Sequence, residues 1–407
     1  MSKLQLTRYL YARDEVEYSL VLALIQKRPL EECYYWAAEL FYSGFSATLT
    51  KRIWYTYYDF YAQYRPRLEY YIELELRKTQ KDMDNFEPYM AIIKNMRLST
   101  PTDTVFVVGL SHVNDLTVYR GKIPKWVKKF EKQDRPLVRA IKNMNWTNIM
   151  YQLDRAKQEP THHCEIIIET LINIGLIESQ RPCHKDVINS LWRRISCPND
   201  THRLVALMCS LLTADNMIDT RNIFVKVAQH ELEYVEQLNQ QPDNIKPPYL
   251  LASKRHFQIN PLIGHFELVR DQYSEKGVLA REYKMFWEYH ASQTPFWMER
   301  FEEYKAKIQG KELVFHGDEN GTMFDKFYDK YQYDLDESYM ANVLALSCGS
   351  IEYKKDLHTL MSLLFDNDVS DDISRRMQTI TLESVSSHQT EEDPLNMDPL
   401  KAVLNTI

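Results

Sequence analysis

Glycine is scarce in this sequence, with 10 residues among 407. Tight hairpin turns and phosphate-binding loops depend on glycine's conformational freedom, so its scarcity favours α-helical over β-rich folds. The sequence also contains no P-loop, dinucleotide-binding fingerprint, H-E-x-x-H or G-x-S-x-G string. These absences exclude the motif-defined classes of nucleotide-binding protein, metalloprotease and serine hydrolase. They leave open a catalytic site assembled from distant residues, and we predict no cofactor.

Long apolar runs are absent as well. No stretch approaches the ~18 apolar residues that a membrane span needs, and residues 1–15 lack the apolar core of a signal peptide. The six cysteines are scattered along the chain, a spacing typical of free thiols and not of a disulfide framework. We therefore expect a soluble protein that is not secreted and makes no contact with a membrane.

Length and charge set the scale of the protein. A chain of 407 residues holds two to three domains or one extended helical array, and it can bury a large core. The net charge of −7 argues against a surface that coats nucleic acid or anionic membrane throughout. Any contact with a polyanion must therefore be local.

Residues 14–76 predict four consecutive helices. Asp14 precedes apolar residues at four-residue spacing, as at the start of a helix, and Pro29, Gly44 and Pro66 mark the breaks between helices. Because the connections are only two to four residues long, neighbouring helices must pack antiparallel. The predicted fold is all-α, an irregular array of antiparallel helical hairpins with at most one or two short strands.

A short repeated string suggests that this array has solenoid character. The pattern V-x-x-S-L occurs at residues 16–20 and again at 187–191, and each copy precedes a break and another helix. Helical-hairpin repeats of the HEAT or tetratricopeptide kind give such echoes.

Aromatic residues are concentrated in the same region. Ten tyrosines lie between Tyr34 and Tyr71, together with several tryptophans and phenylalanines. One interpretation is a surface that binds a partner protein, because tyrosine offers a large rigid contact area with a polar tip. Its candidate contact residues are Trp54, Tyr55, Tyr58 and Tyr61. The alternative, which the helical spacing favours, is an aromatic core with hydroxyl groups at its rim.

Two strings in this region carry a family resemblance. They are DEVEYSLVLALIQKRPLEECYYWAAELFYSGF at residues 14–45 and IWYTYYDFYAQYRPRLEYYI at 53–72. Together they resemble the N-terminal signature of a family of uncharacterised proteins from giant viruses, the nucleocytoplasmic large DNA viruses of algae and protists. The resemblance implies a viral protein located in the host cytoplasm, the viral factory or the virion. It implies no catalytic residues.

We predict five segments along the chain. They are an aromatic-rich helical domain at 1–100, an extended connector at 101–123, a middle helical region at 124–245, a C-terminal helical region at 246–365, and an acidic, disordered tail at 366–407. The connector contains the β-branched run TVFVVGL, residues 104–110, which predicts a short buried strand or an extended link, and residues 312–315 are a second strand candidate. The tail holds nine acidic residues and three basic ones.

Beyond residue 80, periodicity and capping residues predict further helices. We place them at about 86–96, 145–156, 164–177, 185–195, 202–213, 223–240, 278–292, 295–308, 323–331, 337–346 and 351–364.

Residues 120–142 form a basic segment. It contains nine Lys or Arg residues and two acidic ones, a local net charge of +7, and Trp126 and Phe130 are interleaved with the basic residues. Such a composition suits contact with a nucleic-acid backbone and occasional base stacking, or another polyanion. The alternative is a solvated helix face whose two aromatic residues point into the core. The candidate contact residues are Lys125, Trp126, Lys128, Lys129, Lys132, Arg135 and Arg139.

Residues 162–202 carry the atom types that bind zinc. Their spacings do not match the C-x₂-C or H-x₃₋₅-H pairs of familiar structural sites, so buried thiols and helix-end histidines explain them better. The candidate ligands are His163, Cys164, Cys183, His184, Cys197 and His202.

Three functional hypotheses follow, in order of preference. The first is a non-enzymatic helical scaffold that binds other proteins. The second is an adaptor that contacts RNA or DNA through the basic segment, in viral transcription or translation. The third is a zinc-dependent enzyme or zinc-stabilised domain around residues 162–202.

Overall fold

The computed structural model of the protein describes residues 4–110, 124–155, 160–178, 181–193, 195, 197–213, 217–219, 224–239, 255–266 and 278–331. Several predicted features lie outside these residues, namely the helices at 337–346 and 351–364, the acidic segment 366–407, and residues 111–123 of the predicted connector, which include the first four residues of the basic segment. Within the described part the protein is mainly α-helical, as the sequence predicts. No described helix combines the length and the apolar character needed to cross a lipid bilayer.

The described elements follow one another with short connections. The helices are α1 (Arg13–Ile25), α2 (Leu30–Tyr42), α3 (Ser46–Phe60), α4 (Leu68–Thr79), α5 (Glu87–Arg97), α6 (Thr104–Leu110), α7 (Arg135–Lys142), α8 (Trp146–Arg155), α9 (Pro160–Asn173), α10 (Pro182–Trp192), α11 (Asp200–Leu211), α12 (Gln229–Asn239), α13 (Val278–Ala291), α14 (Pro295–Glu303) and α15 (Thr322–Tyr331). There are also 3₁₀ helices at Lys125–Lys129 and Pro261–His265, and strands β1 (Ala306–Gln309) and β2 (Glu312–Phe315).

The chain separates into two compact units, each built from non-adjacent parts of the sequence. The described residues of unit 1 come from the ranges Met1–Arg52, Thr79–Arg97 and Val225–Leu364. Those of unit 2 come from Ile53–Lys78 and Leu98–Phe224.

Unit 1 is organised around the hairpin of α1 and α2. These helices pack on each other, and α5 and α12 pack against α2. Pro29 precedes the first residue of α2, where its missing N–H costs nothing because helix starts leave that group unpaired. Gly44 follows the end of α2 with a φ of +87°, a left-handed conformation that glycine adopts without strain.

The segment before α1 is held inside unit 1 by buried polar contacts. Arg8 forms an ion pair with Glu39, with Nε and Oε2 3.0 Å apart and neither side chain more than 2% exposed. The other carboxylate oxygen of Glu39 accepts from the backbone N–H of Tyr9. Both oxygens are therefore paired, as a buried carboxylate requires.

A β-hairpin interrupts the helices of unit 1 after α14. The prediction of a strand at Glu312–Phe315 is confirmed, and its antiparallel partner is Ala306–Gln309. The predicted helix at 295–308 is too long, because α14 ends at Glu303 and Lys305 takes a left-handed φ of +55°. Gly310 then turns the hairpin with a φ of +68°.

Unit 2 is a cluster of helices in which α7 packs on α8 and α9, and α10 packs on α9 and α11. The run TVFVVGL lies here, and the prediction of a strand or extended connector at this point is wrong: residues 104–110 form α6. Val105 and Val108, three apart, are both buried, and α6 contacts α8 and α11. A continuous apolar run suits a buried helix as well as a buried strand, and tertiary packing outweighs β-propensity here.

Candidate nucleic-acid interface

The basic segment begins with a 3₁₀ helix at Lys125–Lys129. The backbone N–H of Val127 donates to the carbonyl of Pro124 at 3.2 Å, which closes the first turn. Val127 and Phe130, three residues apart, are buried and anchor the turn to unit 2. Because a 3₁₀ helix has three residues per turn, this spacing leaves the intervening residues on the outside.

The intervening residues are lysines. Lys125, Lys128 and Lys129 are exposed, and Lys132 follows them on the surface. Among the described residues, none of these four side chains has a salt bridge or a side-chain hydrogen bond. The acid nearest to them in sequence, Glu131, accepts a hydrogen bond from Gln133 instead. The four charges are therefore not neutralised within the described part of the chain.

Arg135 fixes the shape of this segment. Its Nε donates to the carbonyl of Phe130 and its Nη2 to the carbonyl of Lys128, both at 3.1 Å. These two hydrogen bonds hold the 3₁₀ helix at the start of α7. The Arg135 guanidinium thereby fixes the backbone that carries the lysines. Because it is engaged in these two hydrogen bonds, it is not a free contact group.

Asp134, the residue before Arg135, is buried and forms no salt bridge with the lysines within the described residues. Its Oδ2 lies 3.1 Å from Nε2 of His162, which is the third residue of α9. This pair ties α9 to the start of α7, and α7 and α9 also pack directly. Arg139, one turn further along α7, is partly exposed, and its Nε is buried without a hydrogen bond.

Four of the candidate zinc ligands bond to separate partners. Cys164 donates to the carbonyl of Leu191, His184 lies 3.1 Å from the carbonyl of Glu178, and His202 lies 2.6 Å from Asp59. The thiol of Cys197 points to Asp200 at 3.5 Å. Within the described residues, no three His, Cys, Asp or Glu side chains are placed to share a metal ion. The side chain of Cys183 lies outside that part.

Burial also keeps two of these cysteines from being activated nucleophiles. It raises the pKa of Cys164 and of Cys197 to about 12 in each case, so both remain neutral thiols near pH 7. Nucleophilic attack requires the thiolate. His163 is buried, its Nε2 has no hydrogen bond, and burial lowers its pKa, so it is a neutral core histidine.

The aromatic contact candidates lie in the core of unit 2. Trp54, Tyr58 and Tyr61 are at most 2% exposed, so assigning them to a partner-binding surface is wrong. Trp54 stacks on Tyr58 with ring centroids 5.6 Å apart, and the Tyr58 hydroxyl donates to Glu69. Tyr55 is partly exposed and packs its ring edge-on against His202. The core interpretation therefore holds for three of the four residues.

Ion pairs between residues far apart in the sequence could not be predicted from it. Arg203 and Glu69, and likewise His202 and Asp59, form buried or nearly buried pairs across more than 130 residues. Neither pair has a local spacing signal, because the partners lie on different helices. In the sequence Asp134 is simply one of two acids in a basic segment, and only its burial shows that it faces inwards.

Comparison with known proteins adds no further residues to this site. No protein-family model matches the chain, and no curated protein or solved structure matches it. The resemblance of residues 14–76 to giant-virus proteins stays a prediction.

Proposed function

We propose that this is a non-enzymatic helical protein that binds nucleic acid through the surface formed by Lys125, Lys128, Lys129 and Lys132. The observation that carries this proposal is that all four lysines are exposed and unpaired within the described residues. Unpaired lysines on one short segment attract phosphates and release condensed counterions when they bind. The net charge of −7 restricts this attraction to the local segment.

The hydrogen bonds that fix the backbone of the lysine segment favour the same function. Arg135 donates both of its described hydrogen bonds to backbone carbonyls of this segment, so the lysines sit on a fixed turn. A fixed turn loses less conformational entropy on binding than a flexible lysine-rich tail would. The resemblance to giant-virus proteins, if it reflects ancestry, extends the proposal to viral transcription or translation inside the host cell.

The experiment is charge reversal with a matched control. Lys125, Lys128, Lys129 and Lys132 are all changed to Glu, and binding of a labelled oligonucleotide is measured by anisotropy at several salt concentrations. We expect a large loss of affinity and a shallower dependence of log Kd on log salt, by roughly 0.7 to 0.9 for each lost phosphate contact. The control reverses four other exposed lysines, Lys81, Lys185, Lys307 and Lys326, and changes the net charge equally.

The comparison between the two variants decides the outcome. If both lose affinity to the same extent, only the total charge matters and the proposed surface is wrong. If neither variant changes the affinity of a protein that binds, the contact lies elsewhere.

A second candidate function, binding of a partner protein, is favoured by the outer face of α4. Tyr70 and Leu74, four residues apart, are 43% and 38% exposed, whereas Glu69, Glu73 and Glu75 on the same helix are buried. The guanidinium of Arg193 lies 4.6 Å from the centre of the Tyr70 ring, and this exposed apolar pair is the surface that a partner protein would cover. Changing Tyr70 and Leu74 to Ser should remove proteins that co-purify with the chain after nuclease treatment. Unchanged co-purification would exclude this face.

A further inference from the structure

Trp126 is one of two tryptophans in this protein that are not buried. All seven lie in described residues, and five of them, Trp36, Trp54, Trp146, Trp287 and Trp297, are at most 4% exposed. Trp126 is partly exposed, and Lys125 and Lys128, on either side of it in the sequence, are exposed. A partly exposed indole ring beside cationic side chains offers a stacking contact to a ligand that carries bases and phosphates.

The ring of Trp126 is held in place by its neighbours. It packs edge-to-face on Phe130, with centroids 6.2 Å apart and an interplanar angle of 70°. Phe130 is buried, and its carbonyl accepts one of the hydrogen bonds from Arg135. The indole thus has a fixed support on one side, and a ligand that stacks on it need not order a mobile side chain.

The shape of the segment distinguishes between kinds of nucleic acid. A duplex presents its bases only as edges within grooves, and their faces are covered by neighbouring bases. The five-residue 3₁₀ helix is ~10 Å long, and Val127 within it and Phe130 directly after it are buried. It offers lysines and one partly exposed aromatic ring, a combination that suits an unstacked base flanked by phosphates.

We infer that the ligand of this surface is single-stranded nucleic acid, with a base stacked on Trp126 and the adjacent phosphates bound by Lys125, Lys128 and Lys129. This inference rests on the proposed function and specifies its ligand. Stacking on one aromatic side chain contributes about 1–3 kcal/mol per base, so its loss corresponds to at least about a fivefold change in Kd.

The test uses the full chain and four probes: a single-stranded oligonucleotide, made as RNA and as DNA, the corresponding duplex, an abasic strand of the same length, and heparin. Trp126→Leu should weaken single-strand binding at least about fivefold, and Trp126→Phe should retain most of it. Binding of heparin and of the abasic strand should not change, because neither has a base to stack. Trp192, the other partly exposed tryptophan, provides the control Trp192→Leu, which should bind as the wild type does.

The alternative outcomes distinguish failure of this inference from failure of the proposed function. Equal losses for heparin and for the single strand would mean that Trp126 only shapes the lysine surface, and would overturn the inference. Duplex binding as tight as single-strand binding, with no effect of Trp126→Leu, would overturn it too while leaving nucleic-acid binding in place. Failure of every probe to bind would overturn both. The RNA and DNA arms identify which strand is preferred.

Discussion

Arg203 and Glu69 form an ion pair in the core of unit 2, with Nε and Oε1 2.7 Å apart and exposures of 3% and 0%. The Tyr58 hydroxyl donates to the same oxygen of Glu69, and Arg203 also donates to the carbonyl of Ser190. The pair therefore joins α4 to α11, and through Ser190 it reaches α10. Each charge is acceptable in the core only because the other is present.

Removal of one partner should destabilise the protein strongly. Arg203→Met leaves the Glu69 carboxylate buried without its counter-charge, and we expect a loss of about 3–5 kcal/mol in the free energy of unfolding. The double variant Arg203→Met with Glu69→Leu should recover much of that loss, since no buried charge remains. Chemical denaturation measures both. A double variant as unstable as the sum of the two single variants would show that the pair is not coupled.

The pair of His202 and Asp59 should make stability depend on pH. Burial lowers the pKa of His202, but the carboxylate of Asp59 at 2.6 Å outweighs burial and raises the pKa above its ordinary value. A raised histidine pKa contributes stability that is complete below about 6.5, the unfolded value, and is lost as pH rises through the folded value. Asp59→Asn should therefore cost more stability at pH 6 than at pH 8. Equal costs at the two pH values would contradict this linkage.

The buried carboxyl of Glu288, in unit 1, should also make stability depend on pH. Burial raises its pKa to about 7, although it accepts a hydrogen bond from Tyr328 at 3.0 Å. The folded protein then holds a proton that the unfolded chain releases, so stability falls as pH rises from about 4.5 to about 7. Glu288→Gln keeps the acceptor without the charge and should exceed the wild type at pH 8 by on the order of 2–3 kcal/mol.

The advantage of Glu288→Gln should shrink towards pH 5.5, where the wild-type carboxyl is protonated. Glu303→Gln serves as the control, because Glu303 is exposed and its salt bridge with Lys330 is 3.5 Å long. The control should leave the pH dependence unchanged. An advantage of Glu288→Gln that stays constant across this range would mean that Glu288 does not titrate there.

The turn after α2 should not tolerate a side chain. A Cβ on Gly44 would lie 2.6 Å from Cγ of Pro295, in addition to the cost of a left-handed φ. Gly317 also has a left-handed φ, but no atom lies within 4 Å of the position that a Cβ would take there. Gly317→Ala should thus cost about 1–2 kcal/mol for conformation alone, and Gly44→Ala clearly more. Equal losses in thermal unfolding would show that Pro295 can move aside.

Prediction from the sequence succeeded where the signal is local. The start of α1 lies one residue before Asp14, and α2 begins directly after Pro29 and ends two residues before Gly44, because proline and glycine act on the backbone at their own site. The strand at Glu312–Phe315 is a similar case, since Gly310 supplies the turn beside it. At α6, packing against other helices decided the structure. At the end of α14, the left-handed φ of Lys305 decided it. Neither cause leaves a periodic signal in the sequence.

The candidate site shows the same division. The sequence by itself determined that a cluster of lysines with Trp126 exists, and that the chain is mainly helical, because charge and apolar periodicity are properties of neighbouring residues. Only the tertiary structure decided that Trp126 is partly exposed while Trp54 is buried, since burial depends on how the whole chain packs around each ring. It also decided that Asp134 faces His162 and that, among the residues the structure describes, the four lysines have no acidic partner. Burial is a sum over residues distant in sequence, and one stretch of chain cannot specify it.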